Sequence, residues 1–173
     1  REGEQKAVLE HMSNFVEIIQ MPKGATLDGG DVVFFDDRYL IGRSTRTNKE
    51  GGDFLASHIK KDGYDAEFID VPDSTLHLTT VCSSPREGTV IAAEGHLKES
   101  QLSGFAEEII WIPNQESYAS NTIGYSNDRL IIAAGFPKTK NILQNEGFRL
   151  MSVDMAPIMQ ADGSLTCLSV YTS

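Results

Sequence analysis

The sequence predicts an α+β fold built of strand–strand–helix–strand units that close about a common axis. Three observations lead there: a pattern that recurs along the chain, apolar strand runs alternating with helical stretches, and turn residues set between paired strand runs.

The recurring pattern is a Gly or Asn, an aromatic, an apolar run and a Pro. It reads Asn14-Phe15 to Pro22, Gly63-Tyr64 to Pro72, Gly104-Phe105 to Pro113 and Gly147-Phe148 to Pro157, with prolines 50, 41 and 44 residues apart. Self-similarity at that period marks arrays or closed rings of supersecondary units. Gly, or Asn as second best, takes the left-handed conformation that ends a helix, and the aromatic after it packs back on the last turn. Residues 16–19, 67–69, 109–112 and 150–153 are expected as buried strands, each stopped by a Pro that cannot donate to a ladder.

Helices are expected ahead of these glycines. Val8, Leu9 and Met12 share a face, as do Leu55, His58 and Ile59; Ile142 and Leu143 lie in a short helix that Thr139 would cap. Ahead of three helices lie expected hairpins. Strands 31–35 and 39–42 flank Asp36-Asp37-Arg38, strands 79–83 and 89–93 flank residues 84–88, and strands 121–125 and 129–134 flank Ser126-Asn127-Asp128. The chain thus divides, as one domain over 1–173, into whole units at 23–72, 73–113 and 114–157. Partial units occupy 1–22 and 158–173, the latter expected as a lone strand. An open row of such units exposes sheet edges, and a ring removes them.

Composition narrows the function. The 173 residues suffice for one core, and 40% apolar content suits a globular chain. The longest apolar runs, such as 130–134, fall far short of the roughly 20 residues a membrane-spanning helix needs, so no membrane role is expected. A formal charge of −10 disfavours nucleic acid and weakly favours a cationic ligand. Two cysteines, Cys82 and Cys167, are too few for a disulfide scaffold and point to a reducing, cytoplasmic setting. No Cys-x-x-Cys, His-x-x-x-His or phosphate-loop pattern occurs, so no metal and no cofactor are expected.

The repeat also places chemistry. Asp28 lies six residues past Pro22, His77 five past Pro72, Asn121 eight past Pro113 and Cys167 ten past Pro157. Equivalent positions in a ring converge on its axis, where a thiol, an imidazole and a carboxylate form the set that nucleophilic catalysis needs. Cys82, inside a strand run, is expected in the core. His11, His58 and His96 are expected on helix surfaces, and Asn121 is read as structural.

Four segments resemble the dimethylarginine dimethylaminohydrolases of the guanidine-modifying superfamily. They are Leu27-Asp28-Gly29-Gly30-Asp31-Val32, Arg43-Ser44-Thr45-Arg46-Thr47-Asn48, Leu76-His77-Leu78 with Cys82-Ser83 after it, and Asp162-Gly163-Ser164-Leu165-Thr166-Cys167-Leu168-Ser169-Val170. The resemblance implies the pentein fold, a ring of ββαβ modules about a pseudo-fivefold axis, with about three and a half of five modules in this chain. It also implies hydrolysis of Nω-methylated arginine to citrulline and an amine. Cys167 would be the nucleophile, His77 the general acid and base, and Asp28 the group that orients His77. Arg46 would grip the substrate carboxylate, and Asp31 would contact substrate or else only orient structure. Family members carry a further N-terminal segment, expected at roughly 80–100 residues from the repeat length. It would supply the carboxylates that hold the guanidinium, so the chain is expected to be a fragment, a processed chain or half of a split enzyme. Arginine deiminases place an Asp two residues after the histidine; Thr79 stands there and favours a methylated substrate. Amidinotransferases, and a non-catalytic ring protein of the ribosome-binding kind, are the alternatives.

Overall fold

A computed structural model describes residues 4–169. A helix, α1 (Glu4–Met12), precedes three units of one build. The first holds β1 (Val32–Phe35), β2 (Arg38–Arg43), α2 (Lys49–Lys61) and β3 (Asp65–Asp70). The second holds β4 (Cys82–Arg86), β5 (Thr89–Ala93), α3 (Glu99–Leu102) and β6 (Glu108–Ile112). The third holds β7 (Ile123–Tyr125), β8 (Arg129–Ala133), α4 (Pro137–Asn145) and β9 (Arg149–Val153), followed by α5 (Ala156–Met159). Each unit is a three-stranded sheet with an antiparallel hairpin and a third strand parallel to the second. A parallel neighbour requires a crossover, and the helix supplies it. The ββαβ modules and the α+β class are those expected.

Local sequence explains the ends. Asn48 caps α2 by accepting from the Gly51 N–H at 2.9 Å. Gly63 (φ 88°) and Gly147 (φ 87°) close α2 and α4 in the left-handed region. The N–H groups of Tyr64 and Phe148 then reach back to the carbonyls of Ile59 (3.2 Å) and Leu143 (3.0 Å).

The core lies between units. β5 is buried along its whole length, and its side chains alternate between two neighbours. Val90 and Ala92 join Phe35, Leu40, Ile69 and Leu102, whereas Ile91 joins Ile110, Leu130, Ile132 and Leu143. Arg86 fastens the second unit to the third. Its guanidinium meets Glu108 at 2.9 Å and Asp128 at 3.2 Å and lies 4.4 Å from the centre of the Phe148 ring. β4 packs against both β1 and β7, so the first strands of the units stand side by side along the interior.

Six expectations are corrected. Residues 16–19 form no strand, and Val16 and Ile19 are exposed. In each whole unit the third strand pairs with its own hairpin, and among the described residues no strand pairs with this run. The first strand of the second hairpin is Cys82–Arg86, not 79–83: Pro85 lies where the register shifts between Ser83 and Arg86, a break that tolerates Pro, and the turn is only Glu87-Gly88. Thr139 lies inside α4 rather than capping it, and the Glu116 carboxylate accepts from its N–H and hydroxyl. Residues 158–169 hold the end of α5, turns and a 3-10 turn (Thr166–Leu168) in place of a strand; 170–173 lie outside the described residues. β9, expected buried, leaves Met151 and Val153 exposed because no further unit covers it among the described residues. His96 sits in a turn rather than on a helix, with Nδ1 at 2.7 Å from the Thr75 hydroxyl.

Candidate active site

The strand ends and turns of all three units enclose an open cavity of about 1220 Å³, on which Asp28, Arg46, His77, Thr79 and Cys167 all lie. That is more room than one amino acid fills, as befits a cleft open to solvent.

Asp28 precedes the 3-10 turn Gly29–Asp31, and its Oδ1 accepts from the Gly30 N–H at 2.9 Å. Its Oδ2 meets the Arg46 guanidinium at 3.3 Å. Burial alone would raise the Asp28 carboxyl; the Gly30 N–H, Arg46 and the charge of His77 outweigh it and hold it below the usual aspartate range.

The imidazole of His77 is nearly buried and lies flat against Gly30, so close that a β-carbon there would stand 2.6 Å from the ring. Its Nδ1 bonds to the hydroxyls of Thr80 (3.0 Å) and Thr79 (3.2 Å). The orienting contact expected from Asp28 is made by threonine hydroxyls instead; the Asp28 oxygens meet Gly30 and Arg46.

Asp31, expected either to contact substrate or only to orient structure, is fully buried and does not line the cavity. Its Oδ2 accepts from the Ser44 and Thr47 hydroxyls, both at 2.6 Å, and its Oδ1 accepts from the Leu78 N–H at 2.9 Å. It ties the loop that carries Arg46 to the residue after His77. Thr47 also accepts from the Asp28 N–H at 3.0 Å. Two neighbouring carboxylates therefore divide their roles by depth.

Cys167 lies in the turn Thr166–Leu168 with an exposed side chain, its Sγ 3.4 Å from the Ser164 hydroxyl. The Tyr118 hydroxyl steadies this segment by donating to the Gly163 carbonyl at 2.8 Å. Burial, and then the nearby Cys167, raise the Tyr118 phenol. Cys82 is a buried core thiol, pushed up to about 12 by burial. Asn121 is buried and reaches the turns of both His77 and Cys167. Sequence reasoning missed the threonine hydroxyls as partners of His77, although residues two and three past it can fall on it within one tight turn; Tyr118 carried no signal.

No family model matches the chain. It is similar to the N(G),N(G)-dimethylarginine dimethylaminohydrolase of Pseudomonas aeruginosa, with 32% identity over 174 residues, 98% of this chain and 66% of that protein. The protein of the same description from Streptomyces coelicolor shares 33% over 146 residues, 84% of this chain and 54% of that one. The solved structure of the Pseudomonas aeruginosa enzyme complexed with citrulline superposes with a TM-score of 0.84 at 29% identity, over 96% of this chain and 65% of that one. The chain thus spans between 54% and 66% of the length of these curated relatives.

Proposed function

Since the chain is homologous to the dimethylarginine dimethylaminohydrolases, we propose that it hydrolyses the guanidinium of an Nω-methylated arginine to citrulline and an amine. The observation that carries this reading is the meeting of Cys167, His77, Asp28 and Arg46, from separate parts of the chain, on one cavity.

The thiolate of Cys167 attacks the guanidinium carbon, and the C–S bond forms as the π electrons move to nitrogen. His77 protonates the departing methylated nitrogen, the C–N bond breaks, and a thiouronium remains on Cys167. His77, now neutral, takes a proton from water, whose oxygen adds to the same carbon. The C–S bond breaks with its electron pair returning to sulfur as the thiolate, the added hydroxyl gives its proton to solvent as the C=O forms, and citrulline leaves. Asp28 stabilises the imidazolium by its charge rather than by a hydrogen bond, and the Thr79 and Thr80 hydroxyls fix the ring. Arg46 grips the α-carboxylate by a two-point fork; its Asp28 contact, 3.3 Å long and 44% exposed on the Arg side, yields readily to that partner.

Thr79 offers a hydroxyl already directed at His77, not a carboxylate for a free guanidinium N–H, and this supports a methylated substrate over arginine. No helix among the described residues is long and apolar enough to cross a membrane. Two unpaired thiols suit a cytoplasmic setting. The exposed Cys167, the uncovered β9 and the unpaired residues 16–19 support a site completed by a further ββαβ segment, in the same polypeptide or as a second chain.

Cys167→Ser should abolish dimethylarginine turnover while the circular dichroism and melting curve stay as in the wild type; turnover within about tenfold of wild type removes the thiol mechanism. Comparing kcat/KM for dimethylarginine and arginine tests the substrate, and a preference for arginine moves the protein to the deiminase class.

A further inference from the structure

We propose that Asn121 is a positioning residue that sets the nucleophile against the imidazole. It is a buried carboxamide joining the turn of Cys167 to the turn of His77. The inference rests on the thiol mechanism above and assigns the group that fixes its geometry.

Asn121 is 1% exposed. Its Nδ2 donates to the Thr79 carbonyl at 2.6 Å and to the Thr166 hydroxyl at 2.9 Å, and its Oδ1 accepts from the Thr166 N–H at 3.1 Å. Thr79 lies two residues after His77, and Thr166 immediately precedes Cys167. Among the described residues, no hydrogen bond joins the two turns directly. Thr80 is held by Ser120, and Gly163 by Tyr118, but neither of these side chains bonds to both turns. Asn121 is thus the one side chain, among the described residues, whose own hydrogen bonds reach both turns.

The chemistry of the three partners selects a carboxamide. The Thr79 carbonyl only accepts, the Thr166 N–H only donates, and the hydroxyl completes the second amide hydrogen. Aspartate has the same shape but no N–H to offer, and its charge would face a carbonyl oxygen in a buried place. Being buried and fully engaged, the amide has little freedom to let the turns slide, and a shift of about 1 Å in a reacting group costs on the order of 100-fold in rate.

The test uses dimethylarginine turnover and, separately, the rate of Cys167 alkylation by iodoacetamide followed by peptide mass, with buried Cys82 as the unreactive control. Asn121→Ala should lower kcat about 100-fold with KM within about threefold, since substrate binding through Arg46 is left in place. Thr166→Val, a milder variant in case Asn121→Ala fails to fold, removes one contact and should lower kcat about tenfold, while Thr166→Ser, which keeps the hydroxyl, stays within about threefold. In alkylation, Asn121→Ala should change the Cys167 rate while His77 is present and change it less than about twofold in His77→Ala, because its effect is exerted through that pairing. A folded Asn121→Ala or Thr166→Val enzyme with wild-type kcat overturns the proposal. So do additive effects of Asn121→Ala and His77→Ala, or a Cys167 rate indifferent to His77. If the wild-type protein turns over no methylated arginine, the hydrolase reading falls, while the alkylation cycle still decides for or against Asn121.

Discussion

Gly30 makes a steric demand directly on the His77 ring. Its backbone does not lie in the left-handed region, so alanine is acceptable to the chain itself; what excludes it is space. A β-carbon would stand 2.6 Å from Cγ and Cδ2 of His77 and 2.7 Å from Cε1. Non-bonded carbons rest at about 3.5–4.0 Å, so the imidazole must retreat by roughly 1 Å. The retreat has few routes, because Leu78 is pinned to Asp31 and Nδ1 to Thr80 and Thr79. Gly30→Ala should therefore cost about 1–3 kcal/mol of stability through overpacking. It should also lower kcat on the order of 100-fold, as expected for a catalytic group displaced by about 1 Å. Gly29→Ala is the control, since a β-carbon there meets nothing within 4 Å. The assay is kcat and KM for dimethylarginine beside a urea melt of each variant. A folded Gly30→Ala enzyme with kcat within about threefold of wild type would refute the reasoning, because the ring would then tolerate a shift that the mechanism forbids.

Two further outcomes concern the framework. Arg86→Ala removes the link between the second and third units, and after discounting its ion pairs for exposure it should cost about 1–2 kcal/mol, read as a lower urea midpoint. Glu116 would be raised by burial, but the N–H and hydroxyl of Thr139 and the N–H of Lys138 hold its carboxyl below the ordinary 4.5. A carboxyl lowered on folding stabilises the fold above its ordinary value and loses that contribution as pH falls through the folded value, so Glu116→Gln should flatten the acid limb of stability against pH; an unchanged limb counts against it.

The repeat was legible because its signals are local. The glycine that ends a helix, the aromatic after it and the proline after a strand lie within a few residues of one another. That Cys167, His77 and Asp28 would line one cavity was legible too, because repeating units bring equivalent positions to a common place. Residues 16–19 misled because a strand is a property of a pair: the run has strand-forming residues, but among the described residues no strand pairs with it. Pro85 misled in the opposite sense, as a turn signal absorbed by a shift in register. The partners of Asp31 and Asn121 were opaque for a third reason. Asp31 meets the N–H of a residue 47 positions away and Asn121 meets one 45 positions away, and backbone groups leave no trace in the side-chain pattern.

These two distant partnerships bear on where the precision of the site resides. The turn of His77 opens the second unit, yet it is held from the first by Asp31 on the Leu78 N–H and from the third by Asn121 on the Thr79 carbonyl. No single unit contains both pins. The distance between the pins is set by how the units pack, and that packing runs through β5, buried on one face by the first unit and on the other by the third. Each pin is a fully engaged buried polar group, so a change in unit spacing would break hydrogen bonds outright rather than stretch them gradually. The burial that stabilises the fold is therefore also what keeps the imidazole in register.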